Sequence, residues 1–294
     1  MPFGSACGLD VHYVAHGPGP DADPPTAVLL HGFTPDHRLM TGAFEPVFAA
    51  RERRPGGVAW RRLYLDLPGM GRTRSAAHVT GTDVVLDVVR EAVDRLVPDG
   101  RVALCGQSYG GYLARGLVAS TPGRFSGMAL VCPMLVADHA ERDVPPHRVL
   151  VRDPDLAAGL AVDAEFREIA VVQTHETFRR TQREVVPGLE EADEAALDRI
   201  RQGWAGSFAL EPAGSTYDEP VLVFTGRQDS STGYRDAWPL LEHYPRATFA
   251  VLDRAGHNGH IEQPVLFEAL VHEWLDRVEE AAGSRTSDAS TPHE

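Results

Sequence analysis

A short turn motif constrains this chain more than any other feature: Gly106-Gln107-Ser108-Tyr109-Gly110-Gly111, directly after the apolar run Val102-Ala103-Leu104-Cys105. Because a helix-forming segment follows, the motif predicts a strand, a sharp turn and a helix. Glycines two positions before and after Ser108 are expected where a Cβ would clash with the neighbouring strand and helix. Such a turn exposes the serine hydroxyl to a substrate, although small residues around a serine also occur in ordinary tight turns.

Apolar strand-like runs alternate with helix-period segments along most of the chain. The predicted strands are 9–14, 27–30, 62–67, 102–105, 128–131, 220–225 and 247–252, and the predicted helices are 82–96, 112–119, 234–244 and 265–278. This alternation predicts an α/β fold, in which helices cover both faces of a mostly parallel sheet and ligands bind at the carboxyl ends of the strands. The first strand is expected to form a short antiparallel edge.

The alternation stops between about residues 136 and 207, where no strand-like run occurs. Helix-period segments at 163–185 and 190–204 predict an inserted, all-helical cap over the cleft, which would exclude water and shape the pocket. Two cap side chains, Trp204 and His175, are candidates for the substrate pocket; a place in the core or on a helix surface is the alternative for both.

The predicted division of the chain therefore has four parts. Residues 1–134 and 208–280 form the core, residues 135–207 form the cap, and the small, polar segment 281–294 is predicted to be a disordered tail.

Charge and composition exclude several classes of partner. The formal net charge of -14 disfavours binding to nucleic acid or an anionic membrane, because both are polyanions that recruit basic surfaces. The amino terminus has no signal-peptide pattern, and no apolar run is long enough to span a bilayer, so a cytoplasmic protein is expected. The three cysteines lack metal-ligand spacing. A small-molecule substrate is the expected partner, and the protein is expected to be a monomer or a homodimer.

An acid and a base follow later strands, in the chain order Ser, Asp, His. Asp229 ends the sequence Gly226-Arg227-Gln228-Asp229 after one strand, and Gly256-His257 follows the last strand. His260 competes with His257 for the role of base, and the glycine immediately before His257 favours His257. After the strand at 27–30, Gly32 would let the loop fold over, so that the backbone N–H of Phe33 faces the same edge of the sheet.

These motifs together resemble those of the α/β-hydrolases of the capped, cytoplasmic type. The matching motifs are His31-Gly32-Phe33, Asp66-Leu67-Pro68-Gly69-Met70-Gly71, the turn around Ser108, Gly226-Arg227-Gln228-Asp229 and Gly256-His257. The resemblance covers residues 8–280 and implies an eight-stranded sheet. It also implies Ser108 as nucleophile, His257 as base and Asp229 as the acid that orients it, with the backbone N–H groups of Phe33 and Tyr109 forming the oxyanion hole.

The expected reaction is hydrolysis of a small or medium carboxylic ester or lactone through an acyl-enzyme, with no metal or organic cofactor. A serine in place of aspartate at the turn argues against epoxide or halide chemistry. Two alternatives stay open: a tailoring hydrolase that cleaves a carbon–carbon or thioester bond, and a receptor-like ligand-binding protein with slow turnover. Thr34-Pro35 after the His-Gly pair lacks the longer glycine-rich stretch of many carbon–carbon hydrolases, which disfavours the first alternative.

Overall fold

A computed structural model describes residues 3–159 and 164–289 of the chain. The strands are β1 (Phe3–Ala6), β2 (Leu9–His16), β3 (Thr26–Leu30), β4 (Arg61–Leu65), β5 (Val102–Gln107), β6 (Phe125–Val131), β7 (Val151–Arg152), β8 (Val172–Gln173), β9 (Val221–Gly226) and β10 (Ala247–Leu252). The α-helices are α1 (His37–Glu52), α2 (Thr82–Leu96), α3 (Tyr109–Ser120), α4 (Pro154–Gly159), α5 (Ala164–Ile169), α6 (His175–Glu184), α7 (Val186–Glu191), α8 (Glu194–Gln202), α9 (Gly259–Glu262) and α10 (Pro264–Ala289).

Eight strands form the main sheet, in the order β1-β2-β4-β3-β5-β6-β9-β10. β2 pairs antiparallel with β1 and β4, and the remaining pairs are parallel, which confirms the predicted mostly parallel eight-stranded sheet. Every residue of β3, β5, β6 and β9 is buried, and this burial on both faces explains why these strands are continuous apolar runs in the sequence. Among the described residues, no helix is both long and apolar enough to cross a membrane.

Helices cover both faces of this sheet. Phe44 and Phe48 of α1 pack with Trp274 of α10 in one apolar cluster. On the other face, α2 and α3 contribute Val85 and Leu113 to the larger cluster. The buried valines and alanine of α2 recur at the spacing of one helix face, so the periodicity read from the sequence is also the packing pattern.

The helix α1 is absent from the elements predicted from the sequence. The side chain of Asp36 caps its amino terminus by accepting a hydrogen bond from the backbone N–H of Arg38, at 2.9 Å. Pro46 interrupts the helical pattern, yet it lies inside the helix. Asp36, which precedes apolar residues at helical spacing, was the signal in the sequence for this helix.

The insertion between β6 and β9 is mainly helical, but the prediction of an all-helical cap is wrong. β7 and β8 form a two-stranded parallel sheet, and β8 interrupts the helix predicted over 163–185, which becomes α5, β8 and α6. Residue 163 itself lies outside the described residues. Strands of two residues are too short to produce a detectable alternation. The helix predicted over 190–204 is divided: residues 190 and 191 end α7, and α8 begins after Asp193, which caps it.

The last helix is longer than predicted. In place of the disordered tail predicted over 281–294, α10 continues through Ala289, and residues 290–294 lie outside the described part of the chain. The helix predicted over 234–244 is a 3-10 helix at Arg235–Glu242.

Candidate active site

The candidate nucleophile Ser108 lies between β5 and α3, at the carboxyl edge of the sheet. Its backbone φ is 51° and its ψ is -113°, a conformation that residues with a side chain rarely adopt. A Cβ on Gly106 would lie 2.3 Å from the carbonyl oxygen of Gly110, and a Cβ on Gly110 would lie 2.3 Å from that of Leu30. Both glycines are therefore required where the helix passes over the strand ends, as expected from the sequence.

The candidate acid and base are in hydrogen-bond contact. His257 Nδ1 lies 3.0 Å from Asp229 Oδ2. The fully buried Asp229 carboxylate also accepts the backbone N–H groups of Ser231 and Thr232, at 2.9 and 3.0 Å, and the Thr232 hydroxyl at 2.8 Å. These contacts hold the carboxylate in one orientation.

Burial by itself raises the pKa of Asp229. The attraction and hydrogen bond of His257, together with the bonds from Thr232, act in the opposite direction, and the pKa of this carboxyl lies below its ordinary value. The carboxylate is therefore ionised, as required of a group that orients a histidine and stabilises the imidazolium cation.

Ser108 and His257 line one cavity of about 240 Å³. His260, the alternative base, is fully buried and does not belong to the wall of this cavity. Within the described part of the chain neither of its ring nitrogens has a hydrogen-bond partner, and burial lowers its pKa. His257 is thus the histidine that shares a cavity with Ser108.

The loop after β3 lies against the turn around Ser108. A Cβ on Gly32 would lie 2.3 Å from Oε1 of Gln107 and 3.3 Å from the Cβ of Ser108, so the loop and the turn approach each other closely. His31 holds the loop: its Nε2 accepts the N–H of Leu67 at 3.0 Å, and its Nδ1 lies 2.7 Å from the carbonyl oxygen of Gly32. These two contacts fix the loop, so His31 has a structural role.

The two predicted oxyanion donors line the same cavity. Among the described residues, no group accepts the backbone N–H of Phe33 or of Tyr109. Tyr109 is the first residue of α3, where backbone N–H groups lack partners within the helix. Both N–H groups are available to an oxygen that develops negative charge near Ser108.

The model of the "Alpha/beta hydrolase family" matches residues 27–270. The chain belongs to this family of enzymes. It is 26% identical over 277 residues to the pimeloyl-(acyl-carrier protein) methyl ester esterase of Nitrosomonas europaea, covering 87% of this chain and 96% of that protein. It is 27% identical to a 2-hydroxy-6-oxononadienedioate/2-hydroxy-6-oxononatrienedioate hydrolase of Burkholderia vietnamiensis, covering 92% of each chain. The crystal structure of an alpha/beta superfamily hydrolase from Oenococcus oeni superposes with a TM-score of 0.82 at 25% identity, covering 95% of this chain and all of that one.

The two predicted pocket residues of this alpha/beta hydrolase occupy different places. Trp204 lines the cavity, stacks on Tyr109 with ring centroids 5.0 Å apart, and donates its indole N–H to the carbonyl oxygen of Ala137 at 2.9 Å. His175, in contrast, lies outside the cavity wall. It is exposed at the start of α6, with Nε2 3.8 Å from Asp153. The prediction for His175 is wrong, because its helix turns that side chain towards solvent.

Three further residues, which were not predicted from the sequence, line or contact the candidate site of this hydrolase. The amide nitrogen of Gln107 lies 3.5 Å from both Nε2 and the backbone oxygen of His257. Arg142 lines the cavity, and Glu262 binds the loop that carries His257. The position of Gln107 beside the serine was a usable signal; the other two have none in the local sequence.

One group of three side chains, His12, His37 and Asp66, lies close enough to share a metal ion. Each histidine Nδ1 is 2.7 or 2.8 Å from a different oxygen of the Asp66 carboxylate. These are hydrogen-bond distances, and the carboxylate also accepts the backbone N–H groups of His37 and Arg72. The cluster therefore fits a hydrogen-bonded network better than a set of metal ligands.

Proposed function

We propose that this alpha/beta hydrolase cleaves a small or medium carboxylic ester or lactone through an acyl-enzyme on Ser108. One observation carries the proposal: His257 contacts the buried, ionised Asp229 and lines the cavity that Ser108 also lines. The similarity to a methyl ester esterase over 96% of that protein's length supports an ester as the substrate.

The residues suggest a reaction in two halves. Ser108 Oγ attacks the carbonyl carbon as its proton passes to His257, while Asp229 stabilises the imidazolium that forms. The carbonyl oxygen, now negative, accepts the N–H groups of Phe33 and Tyr109. His257 returns the proton to the leaving alcohol. A water molecule then attacks the acyl-enzyme, again with His257 as base, and releases the acid and the free serine.

The cavity favours a small substrate. Its volume of about 240 Å³ is below the range of about 300–1,000 Å³ that is usual for drug-sized ligands. Apolar side chains from residues 135–207 contribute to the wall, namely Ile169, Val185, Leu189 and Trp204. We propose that this segment acts as a cap, which excludes water from the reacting groups and limits the length of the acyl chain.

Labelling with a fluorophosphonate tests the nucleophile. We expect stoichiometric labelling of the wild-type enzyme at Ser108, located by peptide mass spectrometry, and no labelling of Ser108→Ala or of unfolded protein. Ser231→Ala is the matched control, because Ser231 lines the same cavity and its hydroxyl has no role in the proposed reaction. Labelling that survives in Ser108→Ala would show that another residue is the nucleophile.

Hydrolysis of a carbon–carbon or thioester bond is the second candidate function. The similarity to a 2-hydroxy-6-oxononadienedioate hydrolase at 27% identity, over 92% of both chains, supports it. Product analysis on matched ester, lactone, thioester and β-diketone substrates separates the two reactions.

A receptor-like protein of the same fold would bind ligand tightly and turn over far below about 1 per second. Cell fractionation and the mass in solution test the proposed cytoplasmic location and the monomer or homodimer.

A further inference from the structure

Arg142 lines the cavity of the candidate active site. It is half-buried, and three of its five N–H groups donate to backbone carbonyl oxygens: Nε to Val136 at 2.8 Å, Nη1 to Ser231 at 2.9 Å and Nη2 to Ala137 at 2.9 Å. The three bonds orient the guanidinium group and leave two N–H donors without a partner among the described residues.

This cation has no counter-ion within the described part of the chain. Three carboxylates, those of Asp229, Asp138 and Asp236, attract it from beyond ion-pair distance. Each is engaged elsewhere: Asp229 with His257, Asp138 with the N–H of Ala140, and Asp236 with the N–H of Asp143. Burial lowers the pKa of Arg142 despite this attraction, yet an arginine stays charged at neutral pH. A partly desolvated cation without a partner carries a cost that an anion can remove.

The other described residues of the cavity wall supply no carboxylate that could balance the charge of Arg142. Of the described residues that line it, none is an aspartate or glutamate and Arg142 is the one arginine. Arg142 also belongs to the side of the cavity that holds the acid and base, because the Ser231 residue whose carbonyl it binds donates its N–H to Asp229. A molecule that fills this small cavity therefore meets Ser108, His257 and an unpaired positive charge together.

We propose that Arg142 binds a free carboxylate of the substrate, so that the preferred substrates are esters or lactones that carry a carboxylate elsewhere in the molecule. This proposal rests on the proposed ester hydrolysis. The two remaining N–H donors and the charge of the guanidinium match a carboxylate, and hydrogen bonds between charged groups are the stronger ones. Asn258 and Gln107, which also line the cavity, are uncharged and cannot substitute for it.

The monomethyl and dimethyl esters of glutarate test the proposal, because they share the scissile bond and chain length and differ in one carboxylate. We expect the wild-type enzyme to favour the monomethyl ester in kcat/KM by about 10- to 100-fold. Arg142→Gln should abolish this preference by slowing the monomethyl ester more than the dimethyl ester, and Arg142→Lys should retain part of it. Arg235→Gln, an exposed arginine paired with Asp143 outside the cavity wall, should leave the preference unchanged.

Binding provides a readout that does not need turnover. Calorimetric titration of glutarate into Ser108→Ala should give a Kd at least about tenfold lower than titration into the Ser108→Ala, Arg142→Gln double variant. Equal Kd values for the two variants, or no binding to either, would overturn the proposal. An equal loss of both ester activities in Arg142→Gln would also overturn it, because this result is expected if Arg142 only stabilises the local structure. Carboxylate binding without hydrolysis of either ester would instead reject the proposed function and keep the binding site.

Discussion

At the scale of single residues, the candidate acid Asp229 is held in place by its neighbours. Its carboxylate makes four hydrogen bonds in a fully buried position, so both its charge and its direction are set before a substrate binds. Reorganisation of these groups would otherwise be part of the barrier, and fixed dipoles and charges avoid it.

Asp229→Asn should lower kcat by about three to four orders of magnitude with the fold intact. The asparagine can still accept the N–H groups of Ser231 and Thr232 through its oxygen, but its amide would donate to His257 Nδ1 and so select the wrong tautomer. Steady-state kinetics with circular dichroism as a check on folding measure this. Activity close to that of the wild type would place the acid elsewhere on the sheet edge.

At the scale of elements, Glu262 of α9 connects the cap segment to the loop that carries His257. Its buried carboxylate accepts the N–H groups of Val171 at 2.5 Å and Val172 at 3.1 Å, beside β8, and that of Gly256 at 2.5 Å. Gly256 directly precedes His257, so Glu262 is a positioning residue for the candidate base.

Glu262→Gln should reduce kcat about tenfold or more while KM changes less than about threefold, because one carboxylate oxygen becomes an NH2 group, which cannot accept a hydrogen bond, and at least one N–H loses its partner. Hydrogen exchange at Gly256 and His257 should accelerate in the same variant. Glu280→Gln, on the exposed side of α10, is the control. A fall in thermal stability without a change in kcat would show that Glu262 stabilises the fold but does not position His257.

The junction of β5 and α3 depends on the close packing of the helix against the ends of the strands. Gly110→Ala should destabilise the protein by about 2 kcal/mol or more, because the new methyl group meets the carbonyl oxygen of Leu30 at the end of β3. Gly123→Ala is the matched control: the added Cβ has no atom within 4 Å. Urea unfolding of both variants measures the difference, and equal midpoints would contradict the close packing of helix on strand.

At the scale of the whole molecule, Asp66 joins parts of the chain that are distant in sequence. From the end of β4 its carboxylate accepts hydrogen bonds from His12 on β2 and from His37 at the start of α1. Gly71, at a φ of 51°, passes so close that a Cβ there would lie 2.5 Å from the carboxylate. The Asp-Leu-Pro-Gly-Met-Gly motif is therefore a structural junction between β2, β4 and α1.

This junction makes stability depend on pH. Burial raises the pKa of Asp66, but the hydrogen bonds from His12 and His37 outweigh it and the pKa lies far below its ordinary value. A depressed carboxyl pKa stabilises the fold fully above the unfolded-state value of about 3.9, and the contribution is lost as the pH falls below it. Asp66→Asn should be less stable than the wild type by about 2–3 kcal/mol at pH 7, and the gap should narrow towards pH 3. Urea unfolding of both proteins between pH 7 and pH 3 measures this difference in stability. A difference that does not change with pH would contradict the link between the pKa of Asp66 and the stability of the fold.

The sheet and the order of its motifs were predictable because both depend on local patterns. Continuous apolar runs identify buried parallel strands, and parallel strands bring Ser108, Asp229 and His257 to one edge in any fold of this class. The strained turn was equally readable, since only glycine fits at positions 106 and 110, two residues to either side of Ser108. The helix α1 was missed because a proline obscured its pattern, and the strand β8 was missed because two residues are too few to show an alternation.

By itself, then, the sequence determined the fold class, the turn that presents Ser108 and the chain order of the three candidate catalytic residues, because periodicity and turn chemistry are local. The tertiary structure decided which histidine faces the cavity, that His175 does not, and that Arg142 and Glu262 belong to the site. Arg142 meets Ser231 across 89 residues. Contacts over such distances depend on how the packed elements are arranged, which no local pattern encodes.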